Sequence, residues 1–258
     1  IKVGIIMDLS VILGMLGALA SIATGDLMEG GNPAHVIHIT SLIIVIPTAM
    51  FAAATSTESH AISAAFKELK MVFKKSPINY EARIDELVEY AIIVKKNGVL
   101  ALEKDVQLIE DEFLKEALSM IVDGSKEEQI EESLEAIIEE TEHYYHGASH
   151  YWLLAGETCP VMGLIGAVLG LILALQKLDN PAEMAQGIAG AFTATVTGIA
   201  GAYMFLGPWG NKMKNKAHLV IKDKQIILAA MKGIAKGDAP GELKLKLTKM
   251  ITAMPVKG

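Results

Sequence analysis

Four long apolar stretches constrain this chain more than any other feature of its sequence. They cover about residues 3 to 23, 36 to 54, 151 to 175 and 187 to 208. A helix needs roughly 20 apolar residues to cross the hydrocarbon core of a bilayer. None of the four contains Lys or Arg, and their only acids, Asp8 and Glu157, lie close to the ends. The sequence therefore predicts an all-α membrane protein with four transmembrane helices.

The predicted spans divide the chain into four parts of different composition. Residues 1 to 54 and residues 151 to 208 each hold two spans and a short loop. Residues 55 to 150 carry about 21 acids against 10 bases, and the tail from 209 to 258 carries about 3 acids against 11 bases. Basic residues concentrate on the cytoplasmic side of spans. Both large segments and both chain ends are therefore predicted to be cytoplasmic, with the two short loops outside.

The segment between the pairs of spans is predicted to be a helical domain inserted between helices 2 and 3. Apolar residues recur there at three- and four-residue spacing, which is typical of helices with one buried face: Ile84, Leu87, Val88, Ala91 and Ile92, then Phe113, Leu114, Ala117, Leu118 and Ile121. Asn97-Gly98 and Asp123-Gly124 are predicted to end helices. From Ser125 onward no breaker interrupts the pattern, so one long helix is expected to continue into the third span.

The third and fourth spans carry small residues suited to close helix packing. Glycines and alanines recur at three- and four-residue spacing in both, which is how helices associate within lipid. The fourth span also holds Thr193, Thr195 and Thr197, each of which could bond the carbonyl one turn back or face a pathway. No span has an ionisable residue near its middle. If the protein moves ions, the titrating group is therefore expected from another chain.

Two prolines mark the predicted cytoplasmic ends of these spans. Pro160 follows Glu157 and the lone cysteine, Cys159, and Pro208 lies in the fourth span. A proline inside a helix removes a backbone donor and loosens the preceding turn. The pair predicts a hinge layer, with Glu157 as a gate charge one turn away. Cys159 is interpreted as a small packing residue.

The chain contains three motifs whose order and spacing can be compared with those of known families. They are "ETCPVMGLIGAVLGLI", "GAFTATVTGIAGAYMFLGPWG" and "KKNGVLALEKDV", and the pattern they form extends over nearly the whole chain. Together they resemble the flagellar stator A subunit, the MotA/PomA type of the MotA/TolQ/ExbB superfamily. The resemblance implies a pentamer around a dimer of a single-span, MotB-like B subunit, which would supply the ion-binding aspartate. Ion flow would turn this ring in the bacterial inner membrane, and the cytoplasmic domain would drive the rotor protein FliG.

The resemblance also assigns roles to individual residues. Pro160 and Pro208 match the family's two conformational prolines, and Glu157 matches the acid ahead of the first. Glu103 matches the rotor-contacting acid, and Lys95 stands where the family often has arginine. Lysine keeps the charge but loses the bidentate fork.

The coupling ion is inferred from the same resemblance, whereas the binding partners of the tail are inferred from its charge. Sodium-driven members tend to have threonine where this chain has Ala167, whereas Thr195 matches a position near the ion site in both classes. Protons are therefore the expected ion, and no cofactor is expected. The basic tail is expected to bind anionic lipid headgroups or the acidic segment, and a nucleic-acid partner has little support.

Other functions remain open from the residues alone. A TolQ/ExbB-type energiser would use the same ring, although such relatives usually have three spans. A passive channel or membrane scaffold would need neither the two prolines nor a charged rotor-facing surface. His143, His146 and His150 could share a helix face as a metal site, although no second cluster accompanies them. No phosphate-binding loop or nucleophile with a base is present, so an enzyme is not expected.

Overall fold

A computed structural model describes residues 7–32, 38–76 and 78–252 of the chain. The regular secondary structure within these ranges is helical. The helices are α1 Leu9–Met28, α2 Ile39–Thr55, α3 Ser59–Phe73, α4 Tyr80–Asn97, α5 Glu103–Val106, α6 Glu112–Val122, α7 Glu127–Leu175, α8 Pro181–Ala200, α9 Gly207–Lys236 and α10 Pro240–Thr252. A 3₁₀ turn, Val99–Leu102, precedes α5, and a π-helical segment, Gly201–Leu206, joins α8 to α9. Residues 3 to 6 and 36 to 37 of the predicted spans lie outside the described residues.

Three of the described helices are long and apolar enough to cross a membrane, judged by length and composition. These are α1, α7, and the continuous helix Pro181–Lys236 that runs through α8, the π segment and α9. The remaining predicted span, the second in chain order, corresponds to α2, an apolar helix of 17 residues that contains Pro47. The expected long helix into the third span is confirmed, since α7 runs for 49 residues.

The chain divides into two compact units whose limits differ from the four predicted segments. The first unit comprises residues 1–75 and 144–216, and the second comprises residues 76–143 and 217–258. Helix α3 belongs to the first unit, because Ala64, Ala65 and Val72 are buried in the cluster that contains Trp152 and Met213. The predicted tail is divided between the two units, so residues from 217 onward join the second.

The second unit has its own apolar core. Every apolar residue predicted for α6 is buried, and on α4 Ile84, Leu87 and Ala91 are buried. Ile92 is 37% exposed, which contradicts its predicted place in the core. Successive residues in a helix point about 100° apart, so Ile92 turns away from the face that Ala91 buries. The core also takes in residues of the tail, which the sequence did not indicate: Ile226, Ile227, Met231, Leu243 and Leu247.

The helix ends of this unit follow the predicted turns. Helix α4 ends at Asn97 before Gly98, whose φ is 81°, and α6 ends at Val122 shortly before Gly124, whose φ is 72°. Glycine adopts this left-handed conformation without the strain of a Cβ.

Lysines of the tail form ion pairs with the acidic segment. This agrees with the expectation that the tail binds that segment. Lys236 Nζ lies 2.7 Å from Glu127, and Lys232 pairs with Glu131. Lys244 Nζ lies 2.7 Å from Asp85. Pairs with this exposure stabilise a fold only slightly. The shared apolar core therefore holds the tail in this unit more than its charges do.

Candidate functional site

Helices α7 and α8 pack backbone to backbone along a seam of small residues, which we call the glycine seam. It comprises Gly163, Gly166, Gly170, Gly187, Ala191, Ala194 and Gly198. A Cβ built on Gly163 would lie 2.9 Å from the carbonyl oxygen of Ala194, and one built on Gly170 would lie 3.0 Å from the nitrogen of Ala191. Backbone atoms cannot yield as a side chain can, so these positions require glycine. The predicted close packing of the two helices is confirmed.

Pro160 lies at one end of this seam. It is half-buried inside α7, and its Cα would be 3.2 Å from a Cβ built on Gly198. Because proline has no N–H, it leaves the carbonyl of Gly156 without its usual helical donor. Gly156 is itself closely packed, since a Cβ there would lie 3.0 Å from the nitrogen of Gly207.

Pro208 follows the π-helical segment and is exposed. It cannot donate to the carbonyl one turn back, at Met204, and a wider π turn immediately before it accommodates that loss. Its neighbour Gly207 opposes Gly156, which precedes Pro160 by four residues. Pro208 therefore lies near the turn of α7 that precedes Pro160, and the hinge layer stays a prediction.

The two residues beside Pro160 differ in environment. The Glu157 side chain is exposed, whereas Cys159 is fully buried. A Cβ built on Gly201 would lie 2.8 Å from Cys159 Sγ, so the thiol fills the space that this glycine leaves. The interpretation of Cys159 as a small packing residue is confirmed.

The threonine hydroxyls of α8 are hydrogen-bonded within their own helix. Thr195 Oγ1 donates to the carbonyl of Ala191 at 3.4 Å, and Thr197 Oγ1 donates to that of Thr193 at 2.7 Å. Thr193 Oγ1 also lies 3.2 Å from Ser41 Oγ of α2, a contact that the sequence did not indicate. Donation leaves the hydroxyl oxygens of Thr195 and Thr197 able to accept another hydrogen bond. Ala167, the other residue considered for the ion path, is half-buried.

The predicted rotor-facing charges flank a tight connection in the second unit. Lys95 lies in the last turn of α4 and Glu103 begins α5, and both side chains are exposed. Two large apolar side chains nearby are also exposed, Leu100 by 71% and Leu108 by 82%. The sequence did not predict that Leu100 and Leu108 are exposed. The apolar residues around Leu102 indicate that some of these side chains are buried, but the pattern does not show which ones.

A charge network in the second unit was also missed. Arg83 contacts three carboxylates: Nη2 lies 2.8 Å from Asp111 and 3.1 Å from Asp223, and Nη1 lies 3.0 Å from Glu86. Nε lies 3.2 Å from the second oxygen of Asp223, so that pair is bidentate. Burial lowers the pKa of Arg83, but the hydrogen bond and charge of Asp223, with Glu86 and Asp111, outweigh burial and raise it overall. Arg83 is the only arginine among the 23 Lys and Arg residues of the sequence. Because arginine suits bidentate contacts with carboxylates, this rarity was the one feature of the sequence that could have indicated the network.

The suggested histidine metal site receives no support. The rings of His146 and His150 stack with centroids 5.9 Å apart. Among the described residues, no group of three or more His, Cys, Asp or Glu side chains is placed to hold a metal ion.

Comparison with known proteins assigns the chain. The profile of the MotA/TolQ/ExbB proton channel family matches residues 105–226. Motility protein A of Helicobacter pylori is 56% identical over 245 residues, covering 95% of each chain. The chain belongs to the MotA/TolQ/ExbB proton channel family. Its relatives within that family include motility protein A of Bacillus subtilis, which is 29% identical over 96% of this chain and 92% of the relative.

Solved structures agree with this assignment to the MotA/TolQ/ExbB family. The structure of Campylobacter jejuni MotAB superposes with a TM-score of 0.92 at 52% identity, covering 98% of each chain. The flagellar MotAB stator complex of Bacillus subtilis superposes with a TM-score of 0.84 at 28% identity, covering 95% of this chain and 96% of that one. The similarity to these MotAB structures extends over nearly the whole chain.

The range matched by the family profile contains some of the predicted site residues and not others. It includes Glu157, Pro160, Ala167, Thr195 and Pro208, but its match begins at residue 105, after Lys95 and Glu103. Those two charges lie within the longer similarity to motility protein A, which covers 95% of the chain.

Proposed function

We propose that this chain and a single-span B subunit form an ion-conducting stator complex that converts ion-motive force into torque on the flagellar rotor. The observation that carries the proposal is the close packing of the two apolar helices that carry Pro160 and Pro208, in which Gly198 lies against Pro160 and Gly207 lies against Gly156. The similarity to the C. jejuni MotAB structure over 98% of the chain supports the same function. The wider family would allow an energiser of an envelope protein, and we treat that as an alternative outcome.

The ion-binding carboxylate is proposed to come from the B subunit. Within the described residues, α1 has Asp26 near its end, α2 and the apolar part of α8 have no acid, and the apolar half of α7 has only Glu157 at its edge. An ion cannot be relayed through an apolar bundle without a polar or titratable group. An aspartate on a helix inside a pentameric ring of A subunits would meet this need.

Protons are the proposed coupling ion. Ala167 has no side-chain oxygen for a dehydrated sodium ion, and the Thr195 hydroxyl already donates to Ala191. The name of the family profile, a proton channel family, points the same way. The role of Thr195 would be to accept a hydrogen bond from the protonated aspartate or from a water beside it.

Four membrane spans are proposed, with α2 as the second. Its 17 residues rise about 25 Å, near the lower end of the lengths that cross a bilayer. The lysine-rich flanks of the spans favour a cytoplasmic position for both large segments and both chain ends, in a bacterial inner membrane. Lys95 and Glu103 would then be exposed to FliG, and long-range attraction would contribute to that contact.

The test combines assembly with transport. The A chain is co-expressed with the B subunit of its operon, and native mass spectrometry determines the subunit ratio. The complex is then reconstituted into liposomes, and proton uptake is followed with an internal dye under an imposed potential. Five A chains with two B chains and proton uptake that requires the B aspartate are expected. A homo-oligomer indifferent to B would favour a channel or scaffold, and an assembled complex that supports no swimming would favour the energiser.

A further inference from the structure

A groove with a volume of about 310 Å³ runs between α1 and the helix that carries Pro208. Both walls belong to the first compact unit. Val11, Met15 and Ala18 line it on α1, and Met204 and Pro208 line it on the other side. From residue 10 to residue 18 a helix rises about 12 Å, so the apolar part is long and narrow.

One end of the groove is polar and positively charged. Lys212 Nζ lies 3.0 Å from Ser10 Oγ and 3.0 Å from Asp8 Oδ2, and Ser10 and Lys212 both line the groove. Lys216 Nζ lies 2.9 Å from the same Asp8 oxygen and also donates to backbone carbonyls at the end of α3. Two ammonium groups thus share one carboxylate, and the three side chains together carry a charge of +1.

The two lysines of this cluster are not equally available. The Lys216 side chain is only 6% exposed, and its donors are used by Asp8 and the carbonyls. The Lys212 side chain is 29% exposed and makes two side-chain contacts, so its third proton can reach another acceptor. The accessible part of the excess charge therefore lies on Lys212, at the groove's end.

We propose that this groove is a binding site for a membrane phospholipid with an anionic headgroup. The phosphate would accept a hydrogen bond from Lys212, and one acyl chain would lie along the apolar walls beside Met204 and Pro208. The proposal rests on the membrane insertion of α1 and α8 proposed above. The apolar walls of the groove suit the acyl chain of such a lipid, and the net positive charge at its end suits the anionic headgroup. A free phosphate ion would use only Lys212 and leave the apolar walls exposed.

The position of the groove links the lipid to the predicted hinge. Pro208 forms part of the wall, so the acyl chain would contact the residue at which the helix is expected to move. The lipid would then have to shift whenever this segment changes shape. Headgroup composition would in this way affect how readily the hinge moves.

Two matched pairs of variants test the site. A Cβ at Gly14, which lines the groove, and a Cβ at Gly17, on the same helix but outside the lining, both meet nothing within 4 Å. Gly14→Leu therefore fills the groove, and Gly17→Leu adds the same side chain elsewhere. Lys212→Gln removes the headgroup partner, and Lys214→Gln removes an exposed charge two residues away that does not line the groove.

The measurement is native mass spectrometry of the A–B complex in nanodiscs of phosphatidylcholine with a minor fraction of phosphatidylglycerol. We expect wild type, Gly17→Leu and Lys214→Gln to retain phosphatidylglycerol on release from the disc. Lys212→Gln should retain about fivefold less, the change expected when one lysine no longer attracts an anionic headgroup, and Gly14→Leu should retain no more than that because its side chain occupies the groove.

Each other result contradicts the proposal. Retention by Gly14→Leu equal to that by Gly17→Leu would show that the lipid lies elsewhere. Equal losses of retained phosphatidylglycerol in Lys212→Gln and Lys214→Gln would show that the lysines only attract anionic lipid in general and that the groove is not a specific site. Loss of A subunits from the Gly14→Leu complex alone would identify the occupant as a helix of a second copy. The proposed function is tested separately, because wild-type assembly with B and proton uptake can succeed whichever lipid result is obtained.

Discussion

Removing Arg83 should destabilise the second compact unit strongly, and removing its partner as well should largely reverse the effect. The Arg83 side chain is 20% exposed and that of Asp223 is 10% exposed. Taking away one member of a buried ion pair costs about 3 to 5 kcal/mol, because the other charge is left without a partner. Since some solvent reaches both groups, we expect Arg83→Met to cost about 3 kcal/mol, near the lower end of that range.

Two further variants separate charge from geometry. Replacing both partners, Arg83→Met with Asp223→Leu, removes the stranded charge and should return stability to within about 1 kcal/mol of wild type. Arg83→Lys keeps the charge but cannot form the bidentate contact with Asp223. It should lose about 1.5 kcal/mol, the value of one hydrogen bond to a charged group. Asp111 is left unchanged throughout because it also caps α6, by accepting from the backbone N–H groups of Phe113 and Leu114.

Hydrogen–deuterium exchange of the purified A–B complex is the appropriate assay, because it reports the opening free energy of each region separately. Amides of α4 and α6 in Arg83→Met should exchange about 100-fold faster than in wild type, whereas those of the glycine seam should be unchanged. The reasoning would be refuted by a single variant that loses less than about 1 kcal/mol, or by a double variant as labile as the single one.

Three other substitutions test the site itself. Pro160→Leu should abolish swimming while the complex still assembles on native gels; normal swimming would exclude a hinge there. Glu103→Lys should reduce motility severely, with partial rescue by a compensating change in the rotor protein, and the same reversal at the exposed Glu135 should not; loss of Glu103→Lys from the membrane would instead indicate a folding role. Gly198→Ala should lower the stability of the complex by about 2 kcal/mol in thermal unfolding, because its Cβ would lie 2.9 Å from a backbone oxygen. Gly190→Ala, whose nearest neighbour would be 3.9 Å away, is the control, and equal stability of the two would contradict the seam.

Local signals in the sequence predicted much of the fold. The pattern at Phe113, Leu114 and Ala117 placed the buried face of α6 correctly, since that helix packs along a single stripe. The turns at Gly98 and Gly124 were equally readable, because their backbone conformation needs glycine. The spacing of small residues predicted close packing of the third and fourth spans. It could not identify which glycine opposes which, because the register is set by both helices together.

Contacts between distant parts of the chain were not predictable in the same way. Arg83 and Asp223 are separated by 140 positions, and nothing local to either indicates the other. The sequence analysis interpreted the tail from its charge alone. In the structure, apolar residues of the tail such as Ile227 and Leu243 are buried in the core of the second unit. For Lys95 and Glu103 the resemblance alone predicted a rotor-contacting role, and the structure adds the exposed Leu100 and Leu108 beside them.

The π-helical segment before Pro208 has a consequence for how the fourth span can vary. A π turn holds one residue more than an α turn, so it rotates the helix that follows by about 100° relative to an uninterrupted α-helix. The small residues of α8 and the apolar residues of α9 therefore follow two different helical phases, with the change of phase between Gly201 and Leu206. Deleting one residue within that segment would restore a regular helix at little local cost. The same deletion would turn Met213 and Lys216 away from the partners that now bury them.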